Sequence, residues 1–278
     1  MMRYFVFVLI SFLSLQPLAA QEDRPQSHCI ALARNAPGIE YIQQASFRDP
    51  IADDRMVRLS FVDHAMFLIQ THGGISVVTD YNGFLGGMDF VPTIVTMNRA
   101  HSSHWTHAPD PRIEYVLKGW DEAGDPANHI TQNGDMLVRS ISTDIRSFWD
   151  EGQTDRNGNS IFVFEAAGMC IAHLGHLHHE PSDAQYAAIG TLDVVMAPVD
   201  GGQTLPRPIM IKVLKRMKAR MVIPMHWRGR HNLDAFVRDL GQDFETVQTD
   251  MHSIDLRFKD LPRSPTVFVL EPAFLRDD

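Results

Sequence analysis

The chain has 278 residues, 44% of them hydrophobic and 21% charged. This balance excludes a disordered or fibrous protein and provides for one large domain or two small ones. The formal net charge is −9, and without a Lys/Arg run to neutralise phosphates a nucleic acid is excluded as a partner.

Met1-Met-Arg gives a positive start, Tyr4 to Leu15 is apolar apart from two serines, and Gln16-Pro-Leu-Ala-Ala20 ends in small residues. This pattern predicts a secretory signal peptide over residues 1–20, cut after Ala20. No later stretch is apolar for long enough to span a bilayer, so the expectation is a periplasmic or secreted protein with no stable membrane span after cleavage. Residues 21–55 read as an N-terminal extension, with a short helix around Cys29 to Arg34 and a breaker at Pro37-Gly. In an oxidising compartment Cys29 and Cys170 can pair, or Cys170 can stay a buried free thiol inside its apolar strand. Both readings stay open.

The domain proper is expected over residues 56–278. Val57-Arg-Leu-Ser-Phe-Val alternates as a half-buried strand, and Met66-Phe-Leu-Ile-Gln and Ile75-Ser-Val-Val-Thr follow, with Gly73-Gly74 as a turn. These predict consecutive antiparallel strands. A further apolar run, Pro92 to Asn98, leads directly to His101 and His104, and Ile113–Leu117, Asp135–Ile141 and Ile161–Glu165 read as short strands. The rhythm then becomes β/α: strand Met169–Ala172, helix Ser182–Ile189 with Ser182 as N-cap, strand Leu192–Pro198, helix Pro206–Lys218, strand Met221–Pro224 and helix Leu233–Leu240. The basic residues of Lys212 to Arg220 fall on the solvated face of the second helix. Such material fits two sheets with helices packed outside.

Histidines gather where strands end. Ile171 to Glu180 carries His173, His176, His178 and His179, while His101 and His104 lie upstream and His226 downstream. Histidine is the commonest protein metal ligand, so the three groups point to a metal site, against the plainer reading of a solvated His-rich turn.

In order and spacing these pieces resemble the metallo-β-lactamase superfamily, in its branch of lactonase-like and uncharacterised Zn-dependent hydrolases. The resemblance covers Val57 to Pro272. It rests on Asp63-His-Ala-Met-Phe-Leu-Ile with Val78-Thr-Asp80, on Thr96-Met-Asn-Arg-Ala-His-Ser-Ser-His104, on Asn157 to Glu165, on His173-Leu-Gly-His176, on Leu192 to Gly202, and on Ile223-Pro-Met-His226. It implies an α/β (α+β) fold, the αββα sandwich, with metal at one edge of the two sheets.

Several ligand positions of the family are altered. Arg99 stands at the first histidine of the HxHxDH loop, Ser103 at its aspartate, Trp149 at or near the histidine expected before the glycine-rich turn, and His176 at the bridging aspartate. A permanent cation and an indole cannot coordinate, so the resemblance implies one ion rather than two. The expected ligands are His101, His104, His176 and His226, with His178 or His179 as a further candidate. Zn²⁺ is the expected ion, another transition metal the alternative. His173 and His64 are expected to support the site rather than bind.

The implied chemistry is a metal-bound hydroxide, its pKa lowered towards about 7, attacking an ester, lactone, amide or phosphodiester of a small molecule. Asp80, Asp150, Glu180 and Asp200 are candidates for the missing acid/base aspartate, and Arg99 for gripping an anionic part of the substrate. Competing readings are a non-catalytic metal- or anion-binding protein on the same fold, and a metal-buffering protein with His178-His179 as a loose copper or nickel site. Oligomeric state is left open.

Overall fold

The computed structural model describes residues 25–31, 46–147 and 153–276. The expected signal peptide, Trp149 and Asp150 lie outside the described residues. The strands are β1 (Met56–Asp63), β2 (Met66–Thr71), β3 (Ser76–Val78), β4 (Ile94–Met97), β5 (Tyr115–Lys118), β6 (Ile130–Asn133), β7 (Met136–Arg146), β8 (Thr154–Ala166), β9 (Met169–His173), β10 (Val194–Pro198), β11 (Met221–Met225), β12 (Glu245–Gln248), β13 (Ser253–Arg257) and β14 (Thr266–Val269). The helices are α1 (His28–Ala31), α2 (Asp183–Ile189), α3 (Arg207–Met217) and α4 (Arg230–Leu240).

Two sheets result. The six-stranded sheet runs β13-β1-β2-β3-β4-β5 and the eight-stranded sheet runs β12-β14-β11-β10-β9-β8-β7-β6. Alternation within the strands sets the layers, because successive side chains point to opposite faces. Val57, Leu59 and Phe61 of β1 meet Phe162 and Phe164 of β8 and Val194 and Met196 of β10 between the sheets. Ile161 and Val163 of β8 and Val195 and Ala197 of β10 face the other way, against Met210, Val213 and Leu214 of α3 and Leu233 and Phe236 of α4.

The outer face of the six-stranded sheet is closed differently from the expected helical layer. Phe47, Tyr81, Leu85, Trp120 and Leu275, all from loops, pack there on Val62, Met66 and Leu68. Among the described residues the helices of eight or more residues all lie on the eight-stranded sheet, so the sandwich carries its helices mainly on one side.

Ser182 caps α2 as expected: its side chain accepts from the Gln185 backbone N–H, and the Gln185 side chain returns the bond, a complete capping box. The strands β7 and β8 run well beyond the short segments expected from the sequence, joined by a ladder from Leu137–Glu165 out to Arg146–Thr154. The distal half of β7 still alternates through Ile141, Thr143 and Ile145, but the first half of β8, Thr154 to Asn159, is polar and lacks the apolar alternation by which a strand is read. Cys29 and Cys170 form a disulfide, which settles the open alternative against a free thiol. The strap around α1 is also held by Glu165, which accepts from Ser27 Oγ at 2.5 Å and from the His28 backbone N–H at 2.9 Å.

Candidate metal centre

In the six-stranded sheet β3, β4 and β5 are parallel, and in the eight-stranded sheet β9, β10, β11, β14 and β12 are parallel. Their carboxyl ends therefore open at one edge, the usual place for a site in parallel sheets. Asp80 follows β3, His101 and His104 follow β4, His176 and His178 follow β9, Asp200 follows β10 and His226 follows β11. The turn between β1 and β2 contributes His64 to the same edge, its carbonyl accepting from the His226 backbone N–H at 2.7 Å.

His64, His101, His104 and His226 form the cluster, each offering a ligand atom, all within 4.8 Å of one another. The Nε2 atoms of His64, His104 and His226 are buried without a hydrogen-bond partner among the described residues. Two of these rings are turned by carboxylates. His104 Nδ1 bonds Asp80 Oδ2, and His226 Nδ1 bonds Asp200 Oδ2 at 2.8 Å. With Nδ1–H donating to a carboxylate, Nε2 carries the lone pair that a metal takes.

Backbone donors set the tautomers of the remaining histidines. The Arg146 N–H donates to His178 Nδ1 at 2.6 Å, so neutral His178 donates from Nε2 to His176 Nδ1 at 2.5 Å. His176 then donates from Nε2 to His101 Nε2 at 3.1 Å, and His101 donates from Nδ1 to Ser103 Oγ at 2.8 Å. By the same logic the Gly175 N–H donates to His173 Nδ1 at 3.1 Å, and His173 Nε2–H donates to the Ala65 carbonyl at 2.7 Å.

Burial keeps His64, His101, His104, His176 and His178 uncharged. It pushes His64 down to about 2, helped by the neighbouring His226 and His104, and His101 down to about 4, helped by His226 and Arg228. His178 falls to about 3 through burial and then Arg146, and His104 and His176 fall well below the ordinary value, burial again leading. Neutral imidazole is the form that binds metal. Burial alone would raise Asp200, but bonds from His226, Gly202 and Thr204 outweigh it and hold it a carboxylate. Burial raises Asp80, against the pull of His173 and the Asn98 amide.

The surrounding frame is built of asparagines. Asn98 Nδ2 donates to Asp80 Oδ1 at 2.8 Å and Asn98 Oδ1 accepts from the Ser160 N–H at 2.7 Å, while Asn159 Oδ1 accepts from the His176 N–H at 2.7 Å. Gly175 fits between them with φ +59°, and a Cβ there would run into both amides.

Against the sequence reading, His101, His104 and His226 come together as candidate ligands. His176 adjoins the cluster with its Nε2 3.1 Å from His101 Nε2, and His178 stands behind it, bonded through Nε2 to His176 Nδ1 and through Nδ1 to the Arg146 N–H. His64 moves from an expected supporting role into the cluster. The sequence signal available was its position in a β-turn opposite the other strand ends; its backbone, at φ +46°, is not readable from sequence. Asp80 and Asp200, expected as acid/base candidates, are engaged in orienting His104 and His226. Glu180 lies away from the cluster in a surface ion pair with Lys212 at 2.8 Å. Arg99 is exposed at the mouth of the site, bordering a cleft with His101.

Comparison with known proteins agrees with this fold. The chain is 26% identical over 201 residues to a UPF0173 metal-dependent hydrolase of Methanoculleus marisnigri, covering 66% of this chain and 88% of that one. A Thermotoga maritima structure assigned as a Zn-dependent hydrolase of the metallo-β-lactamase superfamily superposes with a TM-score of 0.56 at 23% identity, over 78% of this chain and 99% of that one. A metal-dependent hydrolase of Parabacteroides distasonis superposes at 0.53 and 12% identity, over 85% of this chain and all of that one, 100%. The family described as the β-lactamase superfamily domain matches residues 58–226, ending on the last of the four clustered histidines. The chain belongs to the metallo-β-lactamase superfamily.

Proposed function

We propose that this chain is an exported metal-dependent hydrolase in which His64, His101, His104 and His226 hold a single divalent ion, zinc by its nitrogen donor set, and act on an ester, lactone, amide or phosphodiester of a small molecule. The observation that carries the reading is the set of three buried Nε2 atoms with no partner among the described residues. Leaving such atoms unmatched costs about 1–3 kcal/mol each, and a shared cation satisfies all of them at once. When bound, the ion supplies Lewis-acid activation of water and of the scissile group. The clustered ligand group contains no carboxylate, so the ligands leave its charge undiminished.

The chain's own residues do the positioning. Asp80 and Asp200 fix the rotation and tautomer of His104 and His226. Ser103 holds His101 through Nδ1, and His101 Nε2, which accepts from His176, is the nitrogen that would hold the ion in place of that bond. Export is proposed from the N-terminal pattern, and the disulfide is consistent with an oxidising compartment.

The test is elemental mass spectrometry of the protein purified without a polyhistidine tag, beside His226→Ala and His64→Ala. One ion per chain, lost in both variants and accompanied by chelator-sensitive hydrolysis of an ester, lactone, amide or phosphodiester, is expected. A wild-type protein that takes up no metal after incubation with zinc overturns the reading. Metal without turnover identifies a binding protein instead.

A further inference from the structure

A cleft of about 580 Å³ adjoins the metal centre, meeting it at His101 and His176. Its charged lining is lopsided. Among the described residues Arg99, Arg146 and Arg228 border it, against one carboxylate, Asp155. Three cations thus share the border of one small volume with little negative charge to offset them. Such an arrangement is stable when a counter-anion is shared among them.

The three guanidinium groups are held differently. Arg146 is anchored: its guanidinium donates to the carbonyls of Gly202 and Thr204, each at 3.0 Å, and to that of Gln203. These acceptors are neutral, so the anchor fixes the position of the charge without cancelling it. The loop that supplies them is itself tied down by Asp200, which accepts from the Gly202 and Gln203 N–H groups at 2.9 and 2.6 Å and from Thr204 Oγ at 2.7 Å. The carboxylate that orients His226 thus also sets the place of Arg146. Arg99 and Arg228 are exposed, and neither forms a side-chain ion pair among the described residues.

Arg99 also borders a second cleft, of about 470 Å³, whose lining includes Trp105 and Trp120. His101 is common to both clefts. A substrate lying across His101 therefore meets the three arginines on one side and, beside Arg99 and Lys118, two indoles on the other.

We infer that Arg99, Arg146 and Arg228 form an anion subsite that grips a carboxylate or phosphate group of the substrate beside the metal centre. Arg146 is the fixed member, while Arg99 and Arg228 supply the guanidinium forks that suit such oxyanions. The assignment of the anion to a substrate rests on the hydrolase reading; the binding of the anion does not.

The two are separated by titrating inorganic phosphate and, in a second arm, succinate into the full chain after chelator treatment, by isothermal calorimetry. Saturable binding of at least one is expected, weakening as salt is raised and falling about tenfold or more in Arg99→Gln/Arg228→Gln, whose zinc uptake matches the wild type. The arm that saturates at lower concentration tells phosphate from carboxylate. No saturable binding by the wild type in either arm, or binding unchanged in the double variant, overturns the subsite. Anion binding in a protein that takes up no metal sinks the hydrolase reading and leaves the subsite standing. Metal uptake and turnover without anion binding do the reverse.

Discussion

His104 and His226 each give one ring nitrogen to a carboxylate and keep the other bare in the protein interior. If Asp80 and Asp200 act by holding that arrangement, the negative charge behind the ring matters as much as its shape. Asp80→Asn keeps the size and removes the charge, and is expected to weaken metal affinity about 10–100-fold, read by competition with a chromogenic chelator. Affinity within a factor of about two of the wild type would remove the orienting role. Residue identity was legible here to the extent that the side chain itself announces chemistry. His101, His104 and His226 could be named from the sequence, and so could both aspartates. What could not be named was direction. Whether an imidazole leaves a nitrogen bare towards the cluster or hydrogen-bonds to the backbone of a neighbour depends on ring rotation, which separates His64 and His226 from His173. His64, Asp80 and His226 also sit in left-handed backbone conformations, at φ +46°, +45° and +59°. Side-chain patterns do not encode such geometry at non-glycine residues.

Among the elements, β9 shows how a strand end joins the two sheets. It belongs to the eight-stranded sheet, yet its last residue, His173, donates to the Ala65 carbonyl in the β1–β2 turn of the other sheet. Burial holds His173 below its ordinary value of 6.5, although Asp80 and the Ala65 carbonyl pull the other way. The unfolded chain therefore takes up a proton at this position near pH 6.5 while the folded protein resists it, so the contribution to stability is present above that pH and lost as pH falls. Urea unfolding of the metal-free protein at pH 7.5 and 5.0 is expected to show a smaller acid loss in His173→Gln, where nothing titrates. Equal losses in both proteins would show that His173 contributes nothing to the acid response. The strands of the first hairpins and the α2 cap were readable because alternation and capping are local signals. The α4 start was not: the helix begins at Arg230, behind Gly229, where the apolar periodicity has not yet begun. The polar first half of β8 escaped for the same reason.

At the scale of the whole molecule, two sheets share one apolar layer and carry the site where their parallel strands end. The resemblance to a sandwich was legible in the order of the motifs. The uneven outer layers were not, because Phe47, Tyr81, Leu85 and Trp120 are scattered over loops with no period to reveal a common face. The pairing of Cys29 with Cys170 was one of two readings the sequence left open, since two cysteines can be counted but their separation in space cannot. That bond spans 141 positions of sequence, a loop whose closure restricts the unfolded chain by about 5 kcal/mol in the chain-entropy estimate. It also makes a covalent ring of β1 through β8 and the first residues of β9. A protease that cuts this ring once, anywhere between residues 30 and 169, opens it without dividing the molecule. The nicked protein should migrate as one species on a non-reducing gel and part into two after thiol treatment, whereas two separate bands before reduction would mean that the ring is not closed. Damage at one point of the ring is thereby kept from becoming loss of a fragment, and both halves of the metal centre stay on one covalent body.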